Sequence, residues 1–445
     1  MWTPIQITQR TVLTNFKINS TKKYNYDRTK RKIWKRLQGF CKTIESAAIG
    51  TIQNILDNPV TKDVPVRIMP DTHQGVDIVI GFTMPVTGLI NPNHIGVDIG
   101  CGMAFVRILN VVSESSFEEI DRTIRNVVPM GFDINSESIT ESEKQSFFDK
   151  ANINLSFHRE GMFPEPPYVD ESYITKLCKK VGMNEKVFYN SIGSLGGGNH
   201  FIEIGKDTNN CIYLTIHSGS RNFGVKVCKY YAKLAKFDKR AFSSELEEIK
   251  KTVPPQRLQE EIKRIKEEFS IRNGYLSDTA MYNYLFDMSI AQTYASLNRQ
   301  TIINRISHAL GWKTSSTIET VHNYINFDDL IIRKGAISAH ENEIVVIPMN
   351  MADGILLCRG KGNPDWNYSA PHGAGRLFSR SFAKEKLSME TFKERMVEVY
   401  STSVCEGTID ESPMAYKSTD EIKELIEPTV DIIDTIRPLI NIKAL

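Results

Sequence analysis

Strand-like segments lie on both sides of a long helical block, and this arrangement constrains the fold most. Short apolar runs alternate with Gly, Pro and Asn turns from Pro65 to Arg107, and a continuous apolar run follows from Cys211 to Ile216. Two further runs stand much later, EIVVIP from Glu343 and ILLCR from Ile355. No repeat, low-complexity tract or long Gly/Ser linker separates these runs. The sequence therefore predicts a single intertwined unit spanning residues 1–445 rather than a string of separate domains.

The segment between the strand-like runs has helical periodicity. In RLQEEIKRIKEEF, apolar residues recur on one helical face, and Pro254-Pro255 precedes them at a position where a helix accepts proline. We expect a helical arm over about 230–275 that packs on the body. The later stretch MYNYLFDMSIAQTYASLNRQTIINRI is apolar enough for a core helix, and one more helix is expected from Ser418 to Leu425.

The first 60 residues or so form a basic N-terminal segment. Between Lys22 and Arg36 there are eight Lys or Arg residues against one Asp, interleaved with two tyrosines and a tryptophan. This stretch is either a solvated surface segment or a contact for a nucleic-acid backbone with aromatics available for stacking. Overall, 55 basic residues face 53 acidic ones, a formal charge of +2. That balance argues against a protein that coats nucleic acid by bulk charge.

Cysteine usage and hydropathy predict the compartment. The seven cysteines are scattered and odd in number, the first residues lack an apolar leader core, and no stretch of 18 apolar residues occurs. We therefore expect a soluble cytoplasmic protein with reduced thiols and no membrane association.

Five residues form a candidate metal-ligand set: Asp98, Cys101, His200, His217 and His322. Each lies in a polar or glycine-rich segment at or beyond an apolar run, where binding sites are usually built. One thiolate, three imidazoles and one carboxylate suit one or two transition metals, and softness alone favours Zn²⁺. No short-range motif ties the five together. A structural Asp turn beside a buried, inert Cys is the alternative, and spacing alone leaves both open.

His372 is a candidate nucleophile. In Pro371-His372-Gly373-Ala374-Gly375-Arg376, small residues leave room for a bulky group beside the imidazole. The following LFSRSFAKEK predicts a helix, whose N-terminus could receive a phosphate while Arg376 adds positive charge. The alternative is a histidine that caps a glycine-rich turn.

These segments together carry a resemblance to a known family. The chain resembles the RtcB family of RNA ligases through MPDTHQG from residue 69, VDIGCG, GSLGGGNHFIEI, HSGSR, the LNRQ helix, VHN, RKGA, HGAGR, ESPMAYK and RPLINIK, in the family's order. The motifs cover nearly the whole chain beyond residue 60. The resemblance implies the RtcB fold, a single compact α+β unit in which mixed β-sheets flanked by helices surround a central metal and nucleotide cleft. It also implies ligation of RNA 3′-phosphate or 2′,3′-cyclic phosphate ends to 5′-hydroxyl ends, with GTP as cosubstrate and two Mn²⁺ ions.

The resemblance also implies site residues. One Mn²⁺ would be held by Asp98, Cys101 and His200, and the other by Cys101, His217 and His322. His372 would be the residue that is guanylylated. Guanylate contacts would come from residues in several segments: Asn199, His200, Phe201, Ile202, Glu203, His322, Asn323, Pro348, Asn350, His372, Gly373, Ala374, Gly375 and Lys443.

Three departures from the family's pattern indicate a divergent branch, for RNA repair or tRNA splicing. The nucleotide-binding serine loop is replaced by residues 348–355, in which Asn350 could still hydrogen-bond and Asp353 could contact the base or repel a phosphate. Gln74 replaces a common tryptophan, and Asn222 follows HSGSR. Two other functions stay open: a metal-dependent phosphodiesterase that forms no adduct, and a catalytically silent RNA-end-binding protein. An archease-type activator is a further partner that the resemblance implies.

Overall fold

The computed structural model describes residues 41–61, 64–110, 116–156, 164–236 and 239–445. The basic stretch from Lys22 to Arg36 lies outside these ranges.

Thirteen strands are present in the described residues. In chain order they are β1 Arg67–His73, β2 Ile80–Pro85, β3 Gly102–Arg107, β4 Phe201–Lys206, β5 Ile212–Ser218, β6 Ile318–Val321, β7 Asn323–Asn326, β8 Ile331–Lys334, β9 Ala336–Ser338, β10 Ile344–Asn350, β11 Gly354–Gly360, β12 Ser369–Pro371 and β13 Val430–Ile442. The strand-like runs that the sequence predicts around residues 211, 343 and 355 correspond to β5, β10 and β11.

Seven of these strands form the largest sheet, in the order β10-β11-β13-β4-β5-β3-β6. The second sheet has the order β1-β2-β8-β7, and β12 pairs with β9. The strand pairings of these sheets are antiparallel, whereas mixed sheets were expected. Tight turns join β4 to β5 and β10 to β11, and a hairpin turn can only give antiparallel neighbours. The α+β class itself is confirmed.

The helices of the described residues are α1 Ser46–Asp57, α2 Phe117–Val127, α3 Glu141–Ser156, α4 Glu171–Val181, α5 Glu185–Asn190, α6 Arg221–Leu234, α7 Lys239–Thr252, α8 Pro255–Arg272, α9 Asp278–Leu310, α10 Arg380–Lys386, α11 Met389–Arg395 and α12 Thr419–Leu425. Local chemistry sets several of their starts. Ser116 and Glu119 form a capping box at α2, and Pro255 opens α8.

Helices α7 and α8 lie in the segment 230–275, for which a helical arm is predicted. They pack together through Phe242 and Phe269, with ring centroids 5.0 Å apart. The core helix is α9, which is 33 residues long and contributes to two hydrophobic clusters. One cluster includes Tyr284 and Tyr294, and the other joins Ile302 of α9 to the inner face of the large sheet. No helix in the described ranges is long and apolar enough to cross a membrane.

Candidate active site

The five candidate ligands lie at the ends of four adjacent strands. Asp98 and Cys101 come just before β3, His200 comes just before β4, His217 lies near the end of β5, and His322 follows β6. The strands β4, β5, β3 and β6 are neighbours in that order and antiparallel. The starts of β3 and β4 therefore meet the ends of β5 and β6 at one edge of the sheet. The fold thus brings together residues from four distant parts of the chain.

Cys101 lies at the centre of this cluster. Its Sγ is 3.4 Å from Nε2 of His200 and 3.4 Å from Nε2 of His217. The Nε2 atoms of His217 and His322 are 3.4 Å apart, and Nε2 of His200 is 2.9 Å from Oδ2 of Asp98. Two groups of three donor atoms result, each within 4.8 Å of one another, and Cys101 belongs to both.

Backbone carbonyls orient two of the imidazoles. Nδ1 of His200 donates to the carbonyl of Leu195 at 2.9 Å, and Nδ1 of His217 donates to that of Asn199 at 3.1 Å. A carbonyl only accepts, so Nδ1 of each ring carries a proton, and the Nε2 atom of each ring points into the cluster. This is the arrangement of metal-binding histidines, whose second nitrogen is held by an outer partner.

Burial controls the charge of the cluster. It lowers the pKa of His217 and His322 well below the usual value, aided by neighbouring imidazoles, so both rings are neutral lone-pair donors at pH 7. Burial, and then the negative charge of Asp98, raise the pKa of the Cys101 thiol well above its usual value. A bound cation would reverse that balance by stabilising the thiolate. The donor set and its charge therefore fit cation binding.

Helix α9 and one glycine hold the ligand loops in place. The buried Arg299 donates to the carbonyl of Gly100 at 2.7 Å and to that of Ser218 at 2.8 Å. Asn298, the preceding residue, donates to the Gly219 carbonyl at 3.1 Å. A Cβ atom on Gly219 would lie 2.1 Å from Oδ1 of Asp98, a distance that no side chain tolerates. The LNRQ and HSGSR segments therefore position the ligand-bearing loops.

A cavity of about 600 Å³ opens beside the cluster. His217 lines it and so connects it to the cluster, and His372 lies in its wall. The imidazole rings of His322 and His372 are neighbours, with centroids 4.8 Å apart. A group bound in this cavity would contact His372 next to the ligand cluster. The volume is in the range of small-molecule sites.

His372 is oriented by Asp71. Nδ1 of His372 donates to Oδ2 of Asp71 at 2.6 Å, and the Asp71 carboxylate is fully buried. This bond places the ring proton on Nδ1 and leaves the Nε2 lone pair free. Gly375 permits the contact between the two segments, because it has φ +75° and a Cβ there would lie 2.0 Å from the Asp71 carbonyl. His372 thus has the geometry of an oriented nucleophile.

The helix predicted after His372 begins later than expected. It is α10, which begins at Arg380 and is seven residues long, with Ser379 as its N-cap. Arg376, Ser379 and Arg380 line the cavity, and Arg376 is paired with Glu411 at 3.3 Å. A phosphate site at this helix N-terminus stays a prediction.

Glu411 forms ion pairs with the positively charged side chains of this region. It pairs with Arg376, with Arg380 and with Lys443, the last at 3.3 Å, and accepts a hydrogen bond from Tyr416 at 2.6 Å. Burial opposes its ionisation, but these cations hold the pKa of Glu411 at about 2. The cationic groups that border the cavity are thus held by one carboxylate.

The residues expected to contact guanylate fall into two sets. Those that line the cavity are Asn199, Phe201, Glu203, Pro348, Asn350, His372, Gly373, Ala374, Gly375 and Lys443. The other four do not line it. His200 and His322 belong to the ligand cluster, and Ile202 packs in the core on the opposite face of β4, as strand alternation requires. Asn323 has both ends of its amide bonded, to the Asp98 carbonyl and to the Gly335 N–H.

The divergent segment 348–355 folds on itself. Oδ1 of Asn350 accepts hydrogen bonds from the Ala352 and Asp353 N–H groups, each at 3.0 Å, and its Nδ2 donates to Asp353 at 2.8 Å. Asp353 also accepts from Thr419 at 2.6 Å and does not line the cavity. The carboxylate of Asp353 is therefore engaged at the start of α12, and a base contact or phosphate repulsion by this residue stays a prediction.

Sequence reasoning missed Asp71 and Arg299. Asp71 lies inside β1, a strand that is buried along nearly its whole length, and an acidic residue in such a strand indicates a buried hydrogen-bond or charge partner. Arg299 lies within the apolar face of α9 and is likewise buried. Both belong to motifs that carry the family resemblance, but their partners are far away in the sequence.

Comparison with known proteins identifies the family. The family model described as tRNA-splicing ligase RtcB matches residues 52–444. The chain belongs to the RtcB family. It is 30% identical over 399 residues to the RNA-splicing ligase RtcB of Escherichia coli K12, covering 85% of this chain and 90% of that protein. It is 24% identical over 421 residues to the tRNA-splicing ligase RtcB of Pyrobaculum aerophilum, covering 80% and 82% respectively. The RtcB resemblance expected from the motifs is confirmed.

Proposed function

We propose that this protein is a GTP- and Mn²⁺-dependent RNA ligase that joins RNA 3′-phosphate or 2′,3′-cyclic phosphate ends to 5′-hydroxyl ends. Membership of a family whose relatives are named RNA-splicing ligases supports the ligase activity. The observation that carries the mechanism is the Asp71–His372 pair at 2.6 Å, with His372 in the cavity wall beside the ligand cluster. An archease-type activator and a cytoplasmic location stay predictions.

In the first step, Nε2 of His372 attacks the α-phosphorus of GTP. A phosphorus–nitrogen bond forms, the bond to the β-phosphate oxygen breaks, and pyrophosphate leaves. The ring gains positive charge as the bond forms, and the Asp71 carboxylate on Nδ1 stabilises that charge. The product is a histidine–GMP phosphoramidate.

In the second step, an oxygen of the RNA 3′-phosphate attacks the adduct and forms RNA-ppG, releasing His372. In the third, the RNA 5′-hydroxyl attacks the activated 3′-phosphorus, loses its proton and expels GMP. A 2′,3′-cyclic phosphate must first be opened by water. His372 has no covalent role in the third step, which provides a direct test of its function.

The ligand cluster would hold two cations that share the Cys101 sulfur. Asp98, Cys101 and His200 would bind one, and Cys101, His217 and His322 the other. When bound, such ions neutralise phosphate charge and orient phosphate oxygens. A Cys/His donor set by itself favours Zn²⁺, and the family resemblance is the reason for proposing Mn²⁺.

The decisive experiment is incubation with α-labelled GTP and Mn²⁺, followed by denaturing electrophoresis. The wild-type protein should acquire one label that acid removes and base does not, as expected of a phosphoramidate. His372→Ala should acquire none, yet should still seal RNA that carries a preformed 3′-ppG end. An adduct in His372→Ala would refute the assigned nucleophile.

The labelling assay, combined with an assay of cyclic-phosphate opening, separates the alternatives. A phosphodiesterase without an adduct would open the cyclic phosphate with no label on the protein. A silent RNA-end-binding protein would neither open the cyclic phosphate nor acquire a label. Failure of His372→Ala on the activated end as well would indicate a structural role for that histidine.

A further inference from the structure

Two residues that line the nucleotide cavity each have a buried oxygen atom with no hydrogen-bond partner among the described residues. These atoms are Oε1 of Glu203 and Oδ1 of Asn441. The two residues line the cavity and are only 2% and 1% exposed. A buried acceptor that lacks a hydrogen bond is destabilising. Two such acceptors beside one another in a ligand cavity indicate that the ligand supplies the donors.

Strand pairing holds the two side chains next to each other. Asn441 of β13 and Glu203 of β4 are direct cross-strand partners. Nδ2 of Asn441 donates to Oε2 of Glu203 at 2.9 Å. The amide nitrogen therefore faces the carboxylate, so Oδ1 of Asn441 and Oε1 of Glu203 are the atoms left for a ligand.

The charge of the pair depends on what the ligand offers. Burial raises the pKa of Glu203 to about 8, while the Asn441 amide and the positive charge of Lys443 act in the opposite direction. Further N–H donors from a ligand would favour the ionised carboxylate in the same way. A ligand that offered an acceptor here would leave the carboxylate unpaired or require its protonation.

Among nucleobases, guanine carries the matching edge. Its ring N1–H and its 2-amino group are adjacent donors, whereas adenine places the N1 acceptor beside its amino group. Cytosine likewise pairs its amino group with a ring acceptor, and uracil has one ring N–H between two carbonyls. The more acidic ring N–H suits the charged carboxylate, and this leaves the 2-amino group for the neutral amide.

We propose that Asn441 is a specificity-determining residue for the 2-amino group of guanine. Its Oδ1 accepts a hydrogen bond from that group, and its Nδ2 holds Glu203 so that Oε1 accepts from N1–H. This inference rests on the proposed function, because it concerns the nucleotide that labels His372. Inosine triphosphate, which lacks only the 2-amino group, is consequently a poorer substrate than GTP.

The test compares GTP with inosine triphosphate in the labelling of His372 under Mn²⁺, as kcat/KM for adduct formation. The wild-type protein should prefer GTP by roughly tenfold or more, since inosine triphosphate leaves one buried acceptor unpaired. Asn441→Leu and Asn441→Ser should both bring this ratio to within about twofold of unity. The ratio should change mainly because kcat/KM for GTP decreases in the variants.

Ser401→Ala is the matched control. Ser401 donates through its hydroxyl to the backbone carbonyl of Asn441 at 2.6 Å, so its removal perturbs the same part of β13 without altering the amide. The GTP preference should be unchanged in this variant. A merely structural role for Asn441 would lower labelling by both nucleotides alike and leave the ratio unchanged.

The outcomes distinguish the two proposals. A wild-type protein labelled by neither nucleotide refutes the proposed function. A labelled wild type with no preference for GTP, or variants that keep the full preference, refutes the role of Asn441 alone. The wild-type ratio tests the inference even if one variant fails to fold.

Discussion

The contact between Asp71 and His372 leads to a sharp prediction for Asp71→Asn. The substitution preserves shape but removes the negative charge, and the Asn amide can donate to Nδ1 of His372. That donation would move the ring proton to Nε2 and occupy the lone pair that attacks GTP. The prediction is a large decrease in adduct formation with the fold intact.

The geometry sets the size of the effect. At the 2.6 Å separation of Nδ1 and Oδ2, a pair of unit charges in an effective dielectric of about 20 interacts by about 6 kcal/mol. Only part of a unit charge develops on the ring in the transition state, so about 4 kcal/mol is a reasonable share. This corresponds to a decrease of roughly 10³-fold in the rate of guanylylation.

The assay is single-turnover labelling with α-labelled GTP, with thermal unfolding measured in parallel. Sealing of RNA that carries a preformed 3′-ppG end should stay within a few-fold of wild type, because that step does not use the His372 lone pair. Asp77→Asn is the matched control, since Asp77 is an exposed carboxylate close by in the sequence. Guanylylation at more than a tenth of the wild-type rate in Asp71→Asn would refute the orienting role.

Three further predictions concern the ligand cluster and the basic segment. Cys101→Ala should lower metal content and ligation more than Asp98→Ala, because Cys101 belongs to both ligand groups, and wild-type metal occupancy in Cys101→Ala would exclude a shared ligand. Gly219→Ala should impair metal binding, measured by elemental analysis, because its Cβ would lie 2.1 Å from Oδ1 of Asp98; Gly50→Ala, which meets no atom within 4 Å, should bind normally. Alanine substitution of the three basic residues 30–32 should leave guanylylation unchanged. If the segment binds RNA, the log–log salt slope of RNA binding should fall by roughly 0.7 for each phosphate that it no longer neutralises. An unchanged slope would indicate that the segment is a solvated surface that does not bind RNA.

The sequence predicts the elements well and the long-range contacts poorly. Continuous apolar runs locate β5, β10 and β11, helical periodicity locates α8, and the long apolar stretch after it locates α9. Residue type and position after apolar runs suggest the five ligands, but only the family resemblance groups them into two ion sites. Local sequence patterns therefore predict the secondary structure, while the family resemblance predicts most of the candidate site.

What the sequence could not show depends on partners distant along the chain. Asp71 and His372 are 301 positions apart, and no local pattern pairs them. The same holds for Asn441, which is indistinguishable from any other residue of a C-terminal strand until its partner on β4 is known. The pairing of Arg376 was missed for the same reason, because its partner Glu411 lies in a separate motif.

The central position of β13 in the large sheet has a consequence for biosynthesis. Asn441 and Glu203 are 238 residues apart in the chain, so at about 5–20 residues per second a ribosome needs roughly 10–50 s to make β13 after β4. During that time the edge of β4 has no neighbour on one side, and an unpaired edge is open to other strands. The nascent chain must protect this edge, or have it protected, until β13 emerges, and only then can the part of the cavity wall formed by Asn441 and Glu203 be completed.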